Sequence, residues 1–513
     1  MKKISYVFVM AVMLLTLPSC GRASAVQKNG KTLIYGSGDY TRINPAMDEH
    51  GEINGLLFDG LTAHNGDNEV IPSLAKCWKF EKKRCTYTFY LKEKVKWHDG
   101  EAFTAEDVKF TIEAIMDSEN GSENRSDFED VEEITVIDEH TVCFKLSAPN
   151  VAFLDYMAMP ILPKHLLSGE DMQESAFFRN PVGTGPYKLE SWDVGQAITL
   201  VRNEDYFKGE AKIERIVFKI VPEDSAKAVQ LKSGELDLAL LPPKDAQSFA
   251  GKEGYTCYQM KTSDYRGILF NFNNRYWAEN RDIIPAVCYA IDRRAIIDAV
   301  LLGQGIAAYG PLQRNIFNNE MVEKYGYNPE KAKEILEKAG CTMGKDGFYV
   351  RENETVGFVI SVAAGDQARI DIAQAAAQQL REAGINCTVD IPIKIDWEKQ
   401  MAYLIGWGSP FDADDHTYKV FGTGKGANYS GYSNRFVDRY LVKARQSDDL
   451  EVRAKAYRQF QAELAKDPAF AFICYVDADY VGNSAIQGIS TDTVLGHHGV
   501  GIFWNVTKWT FLN

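Results

Sequence analysis

Residues 406–418, "GWGSPFDADDHTY", gather Trp407, Asp412, Asp414, Asp415, His416 and Tyr418 around a Gly-Ser-Pro turn. Carboxylates and an imidazole this close could ligate a metal, exchange protons or grip a ligand ammonium. The three Asp residues also suit the cap and first turn of a helix over "DDHTYKVF", where carboxylates complement the helix dipole. Trp407 offers either a flat apolar wall for a ligand or a core side chain. The choice among these rests on the elements that hold the stretch.

Those elements read as alternating strands and helices in the second half of the chain. Residues 355–365, 366–384 and 385–391 form a strand, an amphipathic helix and a second strand, with Ile372, Ala376, Leu380 and Ala383 on one helical face. Such a unit implies a parallel pair with a right-handed crossover. "NPEKAKEILEKAG" and "DLEVRAKAYRQFQAELAKD" are further capped helices. The first half is mixed. "TLIYG" (32–36) runs into the loop "GSGDYTRINP", and "CTYTFYL" (85–91) alternates with period two. "TAEDVKFTIEAIMD" opens on Thr104 as N-cap, and "EITVI" and "TVCFKL" meet at a tight hairpin. Pro222 marks a helix start ahead of the strand "LDLALL".

With 513 residues, 45% of them hydrophobic and 12% aromatic, the chain divides into two or three packed domains. Its net charge of −14, with no basic stripe, disfavours nucleic acid as a partner. Lys2 and Lys3 followed by the apolar run Ile4–Leu17 make a signal peptide, since a membrane span needs roughly 20 residues. The run ends in "LPSC", similar to the bacterial lipobox in which the Cys, here Cys20, becomes the lipidated first residue. A small, polar tether (21–31) follows. The other eight cysteines are scattered without a C-x-x-C pair, so no zinc site is signalled. Cys77 and Cys85 flank a hairpin, but the sequence leaves their pairing open.

The specific motifs are "LAKCWKFEKKRCTYTFYLKEKVKWHDGEAFTAEDVKFTIEAI" (74–115), "LFDGL" (57–61), "ILPKHLL" (161–167), "NPVGTGPYKL" (180–189), "RDIIPAVCYAIDRRAII" (281–297) and "IGWG" (405–408). In this order they resemble the family 5 solute-binding proteins of ABC importers, the oligopeptide-, dipeptide- and nickel-binding group. The resemblance implies an α/β fold: a two-lobed, hinged periplasmic-binding-protein clamshell with an extra α+β subdomain inserted in the first lobe. Mapped by the motifs, lobe one takes 31–62, 180–258 and 478–513, the inserted subdomain 63–179, and lobe two 259–477. The chain would cross between lobes near "YRGILFNFNN" and "FICYVDADYV". Solute would bind between the lobes, and the closed form would dock on the permease transmembrane subunits with their ATPase. The protein would sit outside the cytoplasm, on the membrane through its N-terminal lipid.

Carried onto this sequence, the resemblance puts the segment after Trp407 in the cleft. Peptide binders of the family carry an Asp two or three residues past that Trp for the ligand's α-amine. Here Ser409-Pro410-Phe411 intervene and Asp412 comes first, so "GSPFDA" looks more like the "GAPYDP" of nickel-chelate binders. Asp412, Asp414 and His416 are the lobe-two candidates, with His416 a nickel ligand under the chelate alternative and a capping or loop residue otherwise. His497 and His498 form a second, weaker pair. Asp39 and Tyr40 are candidates in the first lobe, Arg125 for a chelator carboxylate, and Asn271 beside the hinge. Peptide is the leading cargo, and no cofactor is implied. An enzyme is disfavoured: the chain has no H-E-x-x-H and no G-x-S-x-G, and its one S-x-x-K, "SLAK", stands without S-D-N or K-T-G.

Overall fold

The computed structural model describes residues 31–47, 51–392, 395–496 and 501–512. Cys20, the signal peptide, nearly all of the tether, His497 and His498 lie outside them. One large sheet organises the rest. Its strands follow the order Asn386–Asp390, Gly357–Ser361, Ala402–Ile405, Tyr255–Phe270, Phe470–Asn483, Leu238–Leu241, Thr32–Ser37, Arg215–Ile220, Ala197–Arg202 and Tyr187–Asp193. The two long central strands belong to both halves. Residues 479–482 of Phe470–Asn483 pair with Leu238–Leu241 in the first half of the sheet, and residues 267–270 of Tyr255–Phe270 pair with Ala402–Ile405 in the second. Between those parts the register of the central pair slips, from Lys261↔Asp477 to Tyr265↔Tyr475.

The strand–helix–strand reading of 355–391 is what forms. Gly357–Ser361 and Asn386–Asp390 pair in parallel, and the helix Gln367–Glu382 buries Ile372, Ala376 and Leu380 between them and its neighbours. Each large aliphatic side chain buried there adds about 1.5–3 kcal/mol. Asp366 caps the helix by accepting from the Arg369 N–H at 2.9 Å. The helix near Pro222 starts later than the sequence implies, over Asp224–Ser233, because Pro222 precedes the extended cap residue Glu223.

Residues between 63 and 179 build a four-stranded antiparallel sheet, Ala75–Glu81, Thr86–Leu91, Thr141–Leu146 and Val131–Asp138, covered by the helix Ala105–Met116. Thr104 and Asp107 close a capping box at that helix start. One apolar cluster runs from this sheet (Phe89, Phe144) and its helix (Ile112) into the first half of the large sheet (Leu33, Ile216, Leu238). The second half has its own apolar clusters, which contain no residue between 63 and 179. All eight described cysteines, Cys77 and Cys85 included, are unpaired.

Three of the motifs interlock where the four-stranded sheet meets the first half of the large one. His98 accepts from the Gly183 N–H at Nδ1 (3.0 Å), so its Nε2 carries the proton and donates to the Gly185 carbonyl at 3.1 Å. A Cβ on Gly183 would fall 1.8 Å from the Leu57 carbonyl oxygen, so "LFDGL" admits only glycine there. "WHDG" is therefore a turn that clamps "VGTG". Burial pushes the His98 imidazole down to about 4. The neutral ring is the one that fits, so its contribution is complete above about pH 6.5 and is lost as pH falls from 6.5 towards 4. Urea titrations at pH 7 and pH 4.5 are expected to show roughly 2–3 kcal/mol of acid destabilisation that His98→Asn removes, along with part of the stability at pH 7. An unchanged acid limb in His98→Asn would refute this.

Candidate ligand-binding cleft

The strand registers show where a ligand can sit. In the first half, Thr32–Ser37 runs parallel to Leu238–Leu241, whose C-terminal Leu241 pairs with Asp479 beside the register slip. In the second half, Gly357–Ser361 runs parallel to Ala402–Ile405, whose C-terminal Ile405 pairs with Gly267, again beside the slip. Both sets of parallel strands therefore present their C-terminal ends to one crossing point, the end at which open α/β sheets hold ligands.

In the second half of the sheet these ends carry a compact charged group. Arg266 donates to Asp264 and lies 4.0 Å from Asp366, while the Arg369 Nε lies 3.3 Å from Asp366. The Arg369 Nε is buried and finds no hydrogen-bond acceptor, and the buried hydroxyls of Ser263, Tyr265 and Ser361 likewise lack partners. Burial and the neighbouring Arg266 push the Arg369 guanidinium down to about 10, still charged at neutral pH. A buried cation whose Nε is not hydrogen-bonded suits a carboxylate.

In the first half of the sheet, Asp39 and Tyr40 follow the strand Thr32–Ser37. Asp39 is exposed and bonds only locally, to the Tyr40 N–H at 2.9 Å. The Tyr40 ring stands edge-on to Phe218, and burial raises its hydroxyl pKa well above the ordinary value. Both line a crevice of about 660 Å³ together with Arg42, Gln173 and Arg179. Nearby, Glu52 accepts from the Tyr35 and Tyr480 hydroxyls, each at 2.5 Å, and burial raises its pKa.

A family model described as "Bacterial extracellular solute-binding proteins, family 5 Middle" matches residues 69–430. The chain belongs to this family. Family 5 solute-binding proteins are receptors of ABC transporters that work outside the cytoplasm, and they are not enzymes. Among relatives, Protein XP55 of Streptomyces lividans is 32% identical over 463 residues, 88% of this chain and 84% of that protein. The oligopeptide-binding protein AppA of Bacillus subtilis is 28% identical over 522 residues, 96% of this chain and 93% of its own. Among solved structures, NikZ from Campylobacter jejuni in complex with Ni(L-His) superposes with a TM-score of 0.89 at 34% identity, covering 94% of this chain and 99% of that one. AppA from Bacillus subtilis in complex with a nonapeptide gives 0.85 at 26%, with the same coverage. The two-lobed binding-protein fold is thus that of this chain.

Within this family 5 receptor, the "GWGSPFDADDHTY" stretch is held mainly by the protein's own groups. Trp407 is 4% exposed, its ring 5.8 Å from Tyr429 and 6.0 Å from Phe470, and its carbonyl accepts the Tyr265 N–H. Asp412 accepts from the Arg453 Nη2 at 2.5 Å and from the Asp414 N–H at 2.9 Å. Asp414 is fully buried, accepts the Tyr156 hydroxyl at 2.6 Å and lies 3.6 Å from Arg445. Its side chain caps nothing: the helix Asp415–Phe421 begins after it, and Tyr156 and Arg445 draw the carboxylate away from the helix end. His416 is buried and accepts the Gly408 N–H at Nδ1, 3.2 Å away. Among the described residues no group of three or more His, Cys, Asp or Glu side chains is placed to hold a metal ion.

Arg125 lies on the subdomain and donates to the Met116 carbonyl at the end of the helix Ala105–Met116. Asn271 is not beside the crossing point. It follows Phe270, which pairs with Ala402 at the far end of that ladder, and its amide donates to the Gln400 and Trp397 carbonyls. The central pair slips between Lys261 and Tyr265 and again between Arg266 and Gly267, so the first residues of "YRGILFNFNN" lie at the slips and Asn271 lies beyond them. Sequence reasoning missed Ser361, Asp366, Arg369 and Arg266. One signal could have found the first three: they follow the C-terminal end of the clearest strand in the chain, at the cap of the clearest helix.

Proposed function

We propose that this chain is the substrate-binding lipoprotein of an ABC importer, capturing oligopeptides or dipeptides between its two lobes and delivering them to the permease. The observation that carries the ligand class is the buried Arg369 guanidinium beside Arg266 and Asp264 at the crossing point, its Nε 3.3 Å from Asp366 but outside hydrogen-bond geometry. A zwitterion is the ligand that such alternating charges complement, its carboxylate towards Arg369. Asp39 and Tyr40 would close on it from lobe one, divided from lobe two as the motifs imply. The names of relatives agree, since they include oligopeptide- and dipeptide-binding proteins. Cys20 would carry the lipid.

A nickel or other metal chelate is the second reading, favoured by the similarity to NikZ bound to Ni(L-His). Histidine is itself a zwitterion whose carboxylate suits the same arginine. A thermal-shift panel on residues 21–513, stripped of ligand by reversible unfolding, separates the two. Short peptides are expected to raise Tm by a few degrees, because a ligand at 100 times its Kd adds about 2.7 kcal/mol. N-acetylated peptides test whether the free amine counts. A shift with Ni²⁺–histidine alone would overturn the peptide reading in favour of the chelate.

A further inference from the structure

A cavity of about 240 Å³ lies among the strand Phe470–Asn483, the helix Leu450–Lys466 and the connector 309–325. Arg369 and its charged neighbours at the crossing point do not line it. Arg293, 4% exposed and the first residue of the helix Arg293–Val300, is on its wall. Its Nε donates to the Ala308 and Phe472 carbonyls at 3.0 and 2.7 Å. Its Nη1 donates to those of Cys288, Ile291 and Tyr325 at 3.2, 3.2 and 2.6 Å. Among the described residues Nη2 has no acceptor, and no carboxylate lies within 4.0 Å of the guanidinium. The other two arginines less than a tenth exposed, Arg445 and Arg453, lie 3.1 Å from Asp130 and 2.5 Å from Asp412.

Neutral carbonyls engage Nε and Nη1 but leave the charge of Arg293 uncompensated, and burial lowers its pKa. The groups around it do not supply the missing charge. Asp292 caps the helix, accepting from the Ala295 N–H at 3.0 Å, and Glu320, on the cavity lining, is exposed. Burial pushes the Cys288 thiol up to about 12, so it stays neutral. A second cation stands nearby instead: the Lys324 Nζ is 5.9 Å from the centre of the Tyr309 ring, and the Arg293 guanidinium is 5.0 Å from the same ring. Much of the remaining wall is apolar, with Ile306, Leu464 and Phe470. We propose that this cavity is a second ligand site, for a small carboxylate with an apolar body, held by Nη2 of Arg293 and the ammonium of Lys324. Its volume is that of roughly eight water molecules, enough for a one-ring acid. The carboxylate forms a charge-assisted hydrogen bond with a guanidinium that the fold has already desolvated and fixed, so little ordering opposes binding.

Thermal unfolding of the full chain with sodium benzoate as the probe tests the site, against sodium chloride at equal ionic strength. Once tenfold above its Kd, benzoate is expected to raise Tm by about 2 °C more than chloride does. Ala465→Leu, which fills the cavity from its helical wall and leaves the Ala465 carbonyl in place for the Tyr325 hydroxyl, should abolish the difference. Lys324→Gln, at an exposed position, should raise the benzoate concentration for half the shift by about 3-fold or more, and serves if Ala465→Leu does not fold. Arg369→Met should keep the shift, which separates this cavity from a carboxylate held at the crossing point. Inorganic phosphate, which has no apolar body, should act as chloride does. No excess over chloride in the wild type, an unchanged response in Ala465→Leu or Lys324→Gln, loss of the shift in Arg369→Met, or phosphate as effective as benzoate would each overturn the proposal. Benzoate has no amine and no metal is added, so the outcome is independent of the peptide and chelate readings.

Discussion

Arg369→Met is expected to weaken binding of the carboxylate-bearing ligand about 100-fold while leaving the ligand-free protein as stable as the wild type, or more stable. The Arg369 guanidinium is held in a buried position with Arg266 near it, and its Nε lies 3.3 Å from Asp366 without making a hydrogen bond. Holding a cation there costs the fold roughly 2–4 kcal/mol, by the size of the pKa depression. A ligand carboxylate offsets that cost, and truncating one member of a desolvated charge pair typically loses about 2–5 kcal/mol of binding. Isothermal titration with the peptide or chelate that shifts Tm checks the first part, and a urea midpoint on ligand-free protein the second. Wild-type affinity in the variant would remove Arg369 from the site. A large loss of ligand-free stability would mean that the arginine serves the fold.

The second large effect is at Gly408. A methyl group there would stand 1.8 Å from the Ser263 carbonyl oxygen and 2.9 Å from the Asp264 nitrogen, both on the crossing strand. The residue also has φ of +154°, which L side chains rarely adopt. Gly408→Ala must therefore push the loop off the crossing point and pull its N–H from His416. Backbone strain of about 1–3 kcal/mol and a similar overpacking cost add to roughly 3–5 kcal/mol of destabilisation. Gly326→Ala, where a Cβ meets nothing within 4 Å, is the matched control and should change the urea midpoint little. Equal midpoints for the two variants would show that the Gly408 contact relaxes without cost.

The motif glycines make a related point. "IGWG" and "NPVGTGPYKL" identify the family in sequence, and the structure supplies the reason for their residue types: the backbone of a distant segment lies where a side chain would be. The histidines divide in the same way. His98, in a motif that reads as a turn, is a clamp between two segments. His416, with the spacing of a metal ligand, is tied to the Gly408 N–H eight residues back.

By itself the sequence determined the alternation of strands and helices, the caps at Thr104, Asn328 and Asp449, and the family. Each of these depends on side-chain period or on contacts within a few residues, so a window of chain contains the whole cause. Only the tertiary structure decided what the charged side chains do. Asp414 read as a cap and became the partner of Tyr156, 258 residues away, and Glu129 meets Tyr418 across 289. The group at the crossing point joins Asp264 and Arg266 to Asp366 and Arg369, a hundred positions further on. A carboxylate's partner is fixed by whichever cation the closed fold brings within a few ångströms, and in the low dielectric of an interior that proximity outweighs any local preference.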